Sequence, residues 1–224
     1  GFVTGIAKVI VEPDPLSPII KLPDDVIIDS TALYTKVDLG VAEAFDRFGN
    51  PLPVALSDGI TLFEPGINQA VWVTTDNEGR TTSAIQKVSV RPLVSFAKDQ
   101  TALKSESVIA RVYLNGLSPY YPLEIPFSVA GLNGANSDYL YSGSLVIQQG
   151  MEGDIVLDSF GGELPEEYQT FILTLDETIN RSSQHEHVIS IVDGNIAPEV
   201  RVSGLQNGES RLTFVKGEGN AILM

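Results

Sequence analysis

Hydrophobic and polar side chains alternate along most of the chain with a period of two residues. In residues 108–114 the small or apolar side chains occupy every second position, and the same alternation returns over residues 123–129 and 171–175. Such alternation turns one face of a β-strand toward a core and the other toward water. The pattern therefore predicts half-buried β-strands in nearly every part of the chain.

The alternating runs end at turn-forming sequences. These are "FGNP" (48–51), "SDG" (57–59), "DNEG" (76–79), "LNG" (114–116 and 132–134), "MEG" (151–153) and "VDGN" (192–195). Short strands interrupted this regularly favour β-sandwiches over alternating strands and helices. Residues 37–46 could pass for a helix, but Gly40 in their middle and the alternating apolar residues predict a strand there as well. The predicted fold class is all-β, with tandem immunoglobulin-like antiparallel β-sandwiches.

A short sequence pattern occurs twice and predicts where the modules end. Residues 7–13 and 86–92 share the pattern K-V-x-V-x-P, and Lys8 and Lys87 are 79 positions apart. A last strand followed by a proline-containing linker would give this pattern at the end of each module. The prediction has four parts: the last strand and linker of a truncated upstream module (1–14), a sandwich (15–92), a second sandwich (93–195), and a linker with the start of a truncated third module (196–224).

The charge of the chain narrows the classes of partner. The 29 acidic and 14 basic residues give a net charge of -15, which disfavours binding to nucleic acids or to anionic membrane surfaces. Dense carboxylates suit calcium, which takes oxygen ligands, although they also serve simply to keep a surface soluble. There is no cysteine, so disulfides and thiolate metal sites are excluded. No apolar run reaches the ~18 residues of a membrane helix, so we expect no membrane insertion of this segment.

Four segments of the first predicted sandwich carry a family resemblance. They are "SPIIKLPDDVIID", "AFDRFGNPLPV", "LFEPGINQAVWVTTDNEGRTT" and "QKVSV". On these segments, residues 15–92 resemble a hyalin-repeat domain, which implies an immunoglobulin-like sandwich of an extracellular protein. Trp72 lies on a strand of alternating residues, and we expect it to pack in a core or against a neighbouring module rather than to bind sugar.

Seven segments of the second predicted sandwich follow another family pattern in order. They are "VSF" (94–96), "SES" (105–107), "GLNGANSDY" (131–139), "SGSLVIQQG" (142–150), "IVLD" (155–158), "EEYQTFILTL" (166–175) and "ISIVD" (189–193). Residues 93–195 therefore resemble a Calx-beta domain. Members of that family in the sodium–calcium exchanger bind calcium at one end of the sandwich.

The resemblance implies a set of calcium ligands in this chain. The matching carboxylates are those of Glu106, Asp138, Asp158, Glu166 and Asp193. Calcium takes six to eight oxygens, and five carboxylates on loops at one end could supply most of them. The chain departs from the family after the last strand, where Asp193 is followed by Gly194 and Asn195. The alternative is that these acidic residues cap turns or are solvated. An ion bound here would stiffen the junction between modules.

Catalytic signatures are missing from the sequence. His185 and His187 have the H-x-H spacing of a zinc site, but no third ligand is apparent, and we expect both at an exposed hairpin edge. The sequence has no G-x-S-x-G motif, phosphate-binding loop or dinucleotide-binding motif. Glu166 and Glu167 are adjacent on a predicted strand and point to opposite faces, so they cannot flank one glycosidic bond. We therefore predict that the chain is not an enzyme.

The leading hypothesis is a segment of a large secreted or cell-surface bacterial modular protein. It would act as an extended stalk in adhesion or matrix contact, monomeric within a longer chain, with an unknown protein or polysaccharide as surface ligand. One alternative is a carbohydrate-binding accessory region of a polysaccharide-degrading enzyme. Its candidate platform residues are Tyr120, Tyr121, Tyr139 and Tyr141. Another alternative is a calcium-sensing module.

Overall fold

The computed structural model describes residues 16–103, 107–131, 142–157 and 170–192 in full and residues 132, 141, 169, 199–204 and 210–216 as backbone. Every regular element in these ranges is a β-strand. Within them no helix is long and apolar enough to cross a membrane. The chain divides into two compact units between Arg91 and Pro92, which we name the N-terminal unit and the C-terminal unit.

The N-terminal unit contributes nine described strands. They are β1 (Ile19–Lys21), β2 (Val26–Asp29), β3 (Thr35–Lys36), β4 (Glu43–Phe45), β5 (Pro51–Leu52), β6 (Val54–Leu56), β7 (Leu62–Phe63), β8 (Gly66–Thr75) and β9 (Thr81–Arg91). One sheet has the order β1-β4-β5, the second has the order β2-β9-β8-β6, and β3 pairs with β7. The long hairpin of β8 and β9 forms the centre of the larger sheet, so this hairpin supplies much of the unit's core.

The core of the N-terminal unit is built around one buried amide. Gln86 is fully buried, and its Oε1 accepts a hydrogen bond of 3.0 Å from Nε1 of Trp72. Its Nε2 donates to the backbone oxygens of Asp24 at 2.7 Å and Leu39 at 3.0 Å. Trp72 is only 8% exposed and belongs to the apolar core. The expectation that this tryptophan packs in a core is confirmed.

The strand predicted over residues 37–46 forms only in part. Glu43–Phe45 is a strand, whereas residues 37–42 are irregular. Val37 and Leu39 are nevertheless buried, so the alternation correctly marks the inward side chains. Gly40 has a φ of 75°, and its backbone N–H donates to Asp38 Oδ1 at 3.0 Å. This left-handed conformation interrupts the extended backbone that a strand would need.

The C-terminal unit contains ten described strands. They are β10 (Val94–Phe96), β11 (Gln100–Leu103), β12 (Val108–Leu114), β13 (Leu123–Leu132), β14 (Tyr141–Ile147), β15 (Glu152–Leu157), β16 (Gln169–Leu175), β17 (Glu186–Val192), β18 (Glu199–Gly204) and β19 (Ser210–Lys216). The sheet β10-β12-β15 and the sheet β11-β17-β16-β13-β14 both contribute to one apolar core, and β18 pairs with β19. The inward residues of β12 and β13 are those that the alternating pattern predicts.

In both units the first two strands lie in different sheets. In the N-terminal unit β1 pairs antiparallel with β4, after which β2 pairs parallel with β9. In the C-terminal unit β10 pairs antiparallel with β12, after which β11 pairs parallel with β17. Apart from these two edge pairings, the ladders of the described strands are antiparallel. The predicted fold class, tandem immunoglobulin-like β-sandwiches, is confirmed.

Candidate functional site

One end of the C-terminal unit collects the ends of many strands. In the larger sheet, Leu103 at the end of β11 lies opposite Val192 at the end of β17. Gln169 at the start of β16 lies opposite Ile191, and Leu132 at the end of β13 lies opposite Thr170. Four strands of this sheet therefore begin or end at the same edge, which we call the loop end.

The smaller sheet has strand ends at the same place. Val108, the first residue of β12, lies opposite Leu157, the last residue of β15. The other end of β12 lies near the start of β17, because Phe96, which pairs with Val112, donates its backbone N–H to the backbone oxygen of Gln184 at 2.9 Å. The loop end therefore joins both sheets of the sandwich.

The sequence-predicted calcium ligands all lie outside the described residues. The described strands that flank these residues in the sequence begin or end at the loop end. Glu106 lies between β11 and β12, Asp138 between β13 and β14, Asp158 and Glu166 between β15 and β16, and Asp193 directly after β17. The calcium site stays a prediction, and its chemistry is that of carboxylate oxygens, which a hard cation prefers.

Among the residues that the structure describes, no group of three His, Asp or Glu side chains is placed to hold a metal ion. The expectation that both histidines lie at an exposed hairpin edge is wrong for His187, which is 1% exposed. The reason is topological: β17 lies between β11 and β16, so it is not an edge strand. His185 is half-buried and its Nδ1 lies 3.0 Å from the backbone oxygen of Ser182.

The surroundings of His187 fix its tautomer. Its Nδ1 lies 3.2 Å from the backbone oxygen of Ala97, which can only accept, so Nδ1 carries the proton. Its Nε2 therefore accepts from the Nε2 amide group of Gln100, 3.0 Å away. The same amide donates to the backbone oxygen of Ile109 at 3.1 Å. The imidazole also lies beside the ring of Phe96, with 5.6 Å between ring centroids. The hydrogen bond from Gln100 connects β11 to this buried histidine. Because both ring nitrogens have hydrogen-bond partners, neither is free to bind a metal.

The tyrosines proposed as a sugar platform have different surroundings. Tyr120 is 47% exposed, whereas Tyr121 packs against the apolar core. The hydroxyl of Tyr121 donates to the backbone oxygen of Gly150 and accepts from the backbone N–H of Ser118. Tyr139 lies outside the described residues, and Tyr141 is described only as the first residue of β14. The adjacent pair Tyr120 and Tyr121 therefore offers one exposed ring and not a two-ring platform.

The outer face of the smaller sheet carries a paired charge. Arg111 on β12 lies opposite Asp154 on β15, and its Nε and Nη2 donate to the two carboxylate oxygens at 2.8 and 3.1 Å. This hydrogen bonding lowers the pKa of Asp154 and raises the pKa of Arg111. Beside this pair, at the end opposite the loop end, an open groove of about 650 Å³ is lined by residues including Tyr113 and Glu152.

Comparisons with known proteins identify no family. No protein-family model and no curated protein matches the chain. One similar solved structure is that of protocadherin gamma B2 extracellular cadherin domains 3–6, with 13% identity and a TM-score of 0.31. The alignment covers 86% of this chain and 54% of that chain, so the chain spans about half of its length. The resemblances of residues 15–92 and 93–195 to hyalin-repeat and Calx-beta domains stay predictions.

Proposed function

We propose that the chain is a non-catalytic stalk segment of a large secreted or cell-surface modular protein that functions in adhesion, with calcium bound at the loop end of the C-terminal unit. The observation that carries the proposal is the position of the chain's entry and exit in each unit. A unit that the chain enters at one end and leaves at the other can be linked in series to span a distance. A unit with both connections at one end adds little to the length of such a series.

The N-terminal unit has this arrangement. The hydroxyl of Thr82 donates to the backbone oxygen of Pro18 at 2.8 Å, so the chain reaches β1 beside the first residues of β9. It leaves at Arg91, the last residue of the same strand. From Thr82 to Arg91 a strand extends about 30 Å, so entry and exit lie at opposite ends of the sandwich.

The C-terminal unit repeats the arrangement. The chain enters at Val94, which lies opposite Leu114, the last residue of β12. The first residue of β12 is Val108 at the loop end, and the seven residues of the strand separate the two positions by about 20 Å. The sandwich strands of this unit end with β17 at Val192, at the loop end, and β18 and β19 form a separate two-stranded sheet. The proposal puts the calcium ion beside the connection from this sandwich to β18, where a bound ion would stiffen that connection.

The calcium part of the proposal is tested by thermal unfolding of the whole chain in EDTA and in millimolar calcium. A ligand present at about 100 times its dissociation constant and bound only by the native state adds roughly 2.7 kcal/mol. Trp72 is the single tryptophan of the chain and lies in the N-terminal unit. Calcium should therefore raise the midpoint measured by circular dichroism for the C-terminal unit and leave the tryptophan-fluorescence midpoint unchanged.

Two variants make that experiment specific. Asp138→Ala should abolish the calcium-dependent rise, because it removes one of the implied ligands. Asp58→Ala is the matched control, since Asp58 accepts a hydrogen bond from the backbone N–H of Ile60 in a turn of the other unit. Equal midpoints in EDTA and calcium for the unaltered chain would refute the calcium site and leave a stalk without a bound ion.

A further inference from the structure

The geometry points to a mechanical function: we propose that each unit resists tension applied along the chain, through a patch of parallel strand pairing, β2 with β9 or β11 with β17, that a single aspartate fastens. The patch of the N-terminal unit consists of β2 and the last four residues of β9, from Val26 opposite Val88 to Asp29 opposite Arg91. The patch of the C-terminal unit consists of β11 and the last four residues of β17, from Gln100 opposite Ile189 to Leu103 opposite Val192.

The direction of the strands decides how tension acts on these patches. A pull on the chain before β2 draws β2 backward along its axis, and a pull after β9 draws β9 forward. Because the two strands run parallel, these forces are opposed along the strands and load all hydrogen bonds of the patch together. An antiparallel hairpin pulled from its two adjacent ends instead opens one pair at a time. The parallel patch is therefore the arrangement that resists end-to-end tension, and the same reasoning holds for β11 and β17.

An aspartate fastens the start of each patch in the same register. Asp25 directly precedes β2, and its Oδ1 accepts at 2.9 Å from the backbone N–H of Lys87, directly before Val88. Asp99 directly precedes β11, and its Oδ1 accepts at 2.8 Å from the backbone N–H of Val188, directly before Ile189. The two units thus place a carboxylate at equivalent positions, and we call each contact an aspartate latch.

Further contacts hold the same patches. In the N-terminal unit, Ser30 N–H donates to the backbone oxygen of Arg91 at 2.8 Å and extends the ladder beyond β2. The guanidinium Nε of Arg91 lies 2.7 Å from Asp29 Oδ1. From inside the core, Gln86 and His187 occupy equivalent positions, each one residue before the backbone N–H that the latch engages. Gln86 donates a hydrogen bond to the backbone oxygen of Asp24, and His187 donates one to the backbone oxygen of Ala97. Asp24 and Ala97 each lie two or three residues before the patch of their unit. Each patch is therefore held from two sides.

The inference rests on the proposed stalk function, since only a chain pulled from its ends loads the patches in this way. The test is force spectroscopy on the whole chain held at its two ends. Unfolding events are assigned by released length, the extended length minus the folded distance between entry and exit, which is about 240 Å for residues 16–91 and about 340 Å for residues 93–192. Loss of one hydrogen bond of about 1 kcal/mol changes a rate about fivefold. Asp25→Ala should raise the unfolding rate under constant force of the N-terminal unit about fivefold, and Asp99→Ala should do the same for the C-terminal unit alone.

Three controls separate a latch from a general effect on stability. Asp25→Asn keeps the Oδ1 acceptor and should unfold at the rate of the unaltered chain. Asp38→Ala removes an aspartate that bonds the backbone N–H of Gly40 outside the patch and should also leave the rate unchanged. Because the chain has no cysteine, handles can be attached through cysteines placed at 58 and 77. In that geometry the force bypasses β2, so Asp25→Ala should have no effect.

Two results would overturn the proposal. One is an unchanged rate for Asp25→Ala and Asp99→Ala under end-to-end tension. The other is a faster rate with the handles at 58 and 77 as well, which would make the aspartates ordinary contributors to stability. Neither result bears on the calcium experiment: a stalk without latches would still span a distance, and a stalk without calcium would still resist tension.

Discussion

The N-terminal and C-terminal units carry different buried polar side chains at one equivalent position. Gln86 on β9 and His187 on β17 stand at equivalent places on the last strand, and both are buried. Gln86 joins three elements, because its amide bonds Trp72, Asp24 and Leu39 at once. His187 bonds Gln100 and Ala97 and otherwise lies among apolar side chains. The N-terminal unit therefore depends more heavily on its buried polar group than the C-terminal unit does.

The reason for the difference is the length of the strands. Apart from β8 and β9, the strands of the N-terminal unit have two to four residues, so much of its backbone runs outside the ladders. The backbone oxygens of Asp24 and Leu39 lie in such stretches and need a side chain as partner. The C-terminal unit buries long alternating runs from both sheets, and its ladders satisfy most of that backbone. Where strands are short, buried polar side chains replace missing ladder hydrogen bonds.

The largest loss of stability is expected for the substitution Gln86→Leu. The variant leaves the indole N–H of Trp72 and the oxygens of Asp24 and Leu39 without their partner, and each buried group left unpaired costs about 1–3 kcal/mol. We expect the N-terminal unit to lose about 3 kcal/mol or more. Chemical denaturation followed by the fluorescence of Trp72 measures this unit alone. Gln69→Leu is the matched control, because Gln69 is exposed on β8, and it should change stability by less than about 0.5 kcal/mol.

The equivalent change in the C-terminal unit, His187→Leu, should have a smaller effect. It removes the partners of Ala97 O and of the Gln100 amide, but it adds apolar volume to an apolar core, which offsets part of the loss. We expect a loss of about 2 kcal/mol, seen by circular dichroism and not by Trp72 fluorescence. His185→Leu is the control, because His185 is half-buried on the same segment. Surface substitutions usually change the free energy of unfolding by roughly 0.5 kcal/mol, so this variant should lose less than about 1 kcal/mol. A larger effect of His187→Leu than of Gln86→Leu would reverse the comparison.

The sequence predicts much of this fold because alternation marks inward side chains directly. The apolar residues of β12, β13 and β16 face the core as expected. The pattern is less informative where polar groups are buried, since Gln86 and His187 carry no apolar signal. Strand pairing is also not evident from the sequence: Asp25 and Asp99 each precede an ordinary short strand, and only the register of β2 against β9 and of β11 against β17 reveals a latch. The predicted calcium ligands depend on loops, whose positions alternation does not specify.

The smallest expected effect concerns two hairpin turns of the N-terminal unit and its response to acid. In the turn after β8, Asp76 Oδ1 accepts from the backbone N–H groups of Glu78 and Arg80, both at 2.9 Å, and Arg80 Nε lies 2.8 Å from Oδ2. Desolvation raises the pKa of Asp76, but these hydrogen bonds outweigh it and the pKa is lowered. In the turn after β4, the side chain of Asn50 and the backbone N–H groups of Phe48 and Asn50 lower the pKa of Asp46.

A lowered carboxylate pKa fixes the sign of the pH dependence. In the unfolded chain an aspartate has a pKa of about 3.9. The folded unit therefore keeps these two carboxylates ionised at pH values at which the same carboxylates of the unfolded chain bind protons. Their contribution to stability is therefore complete above about pH 5 and falls as the pH drops below about 4. Denaturation followed by Trp72 fluorescence should show this fall, and Asp76→Asn should flatten it more than Asp46→Asn, because Asp76 is also paired with Arg80 and is almost fully buried. If both variants keep the acid response of the unaltered chain, the pH dependence comes from other carboxylates of the unit and not from these two turns.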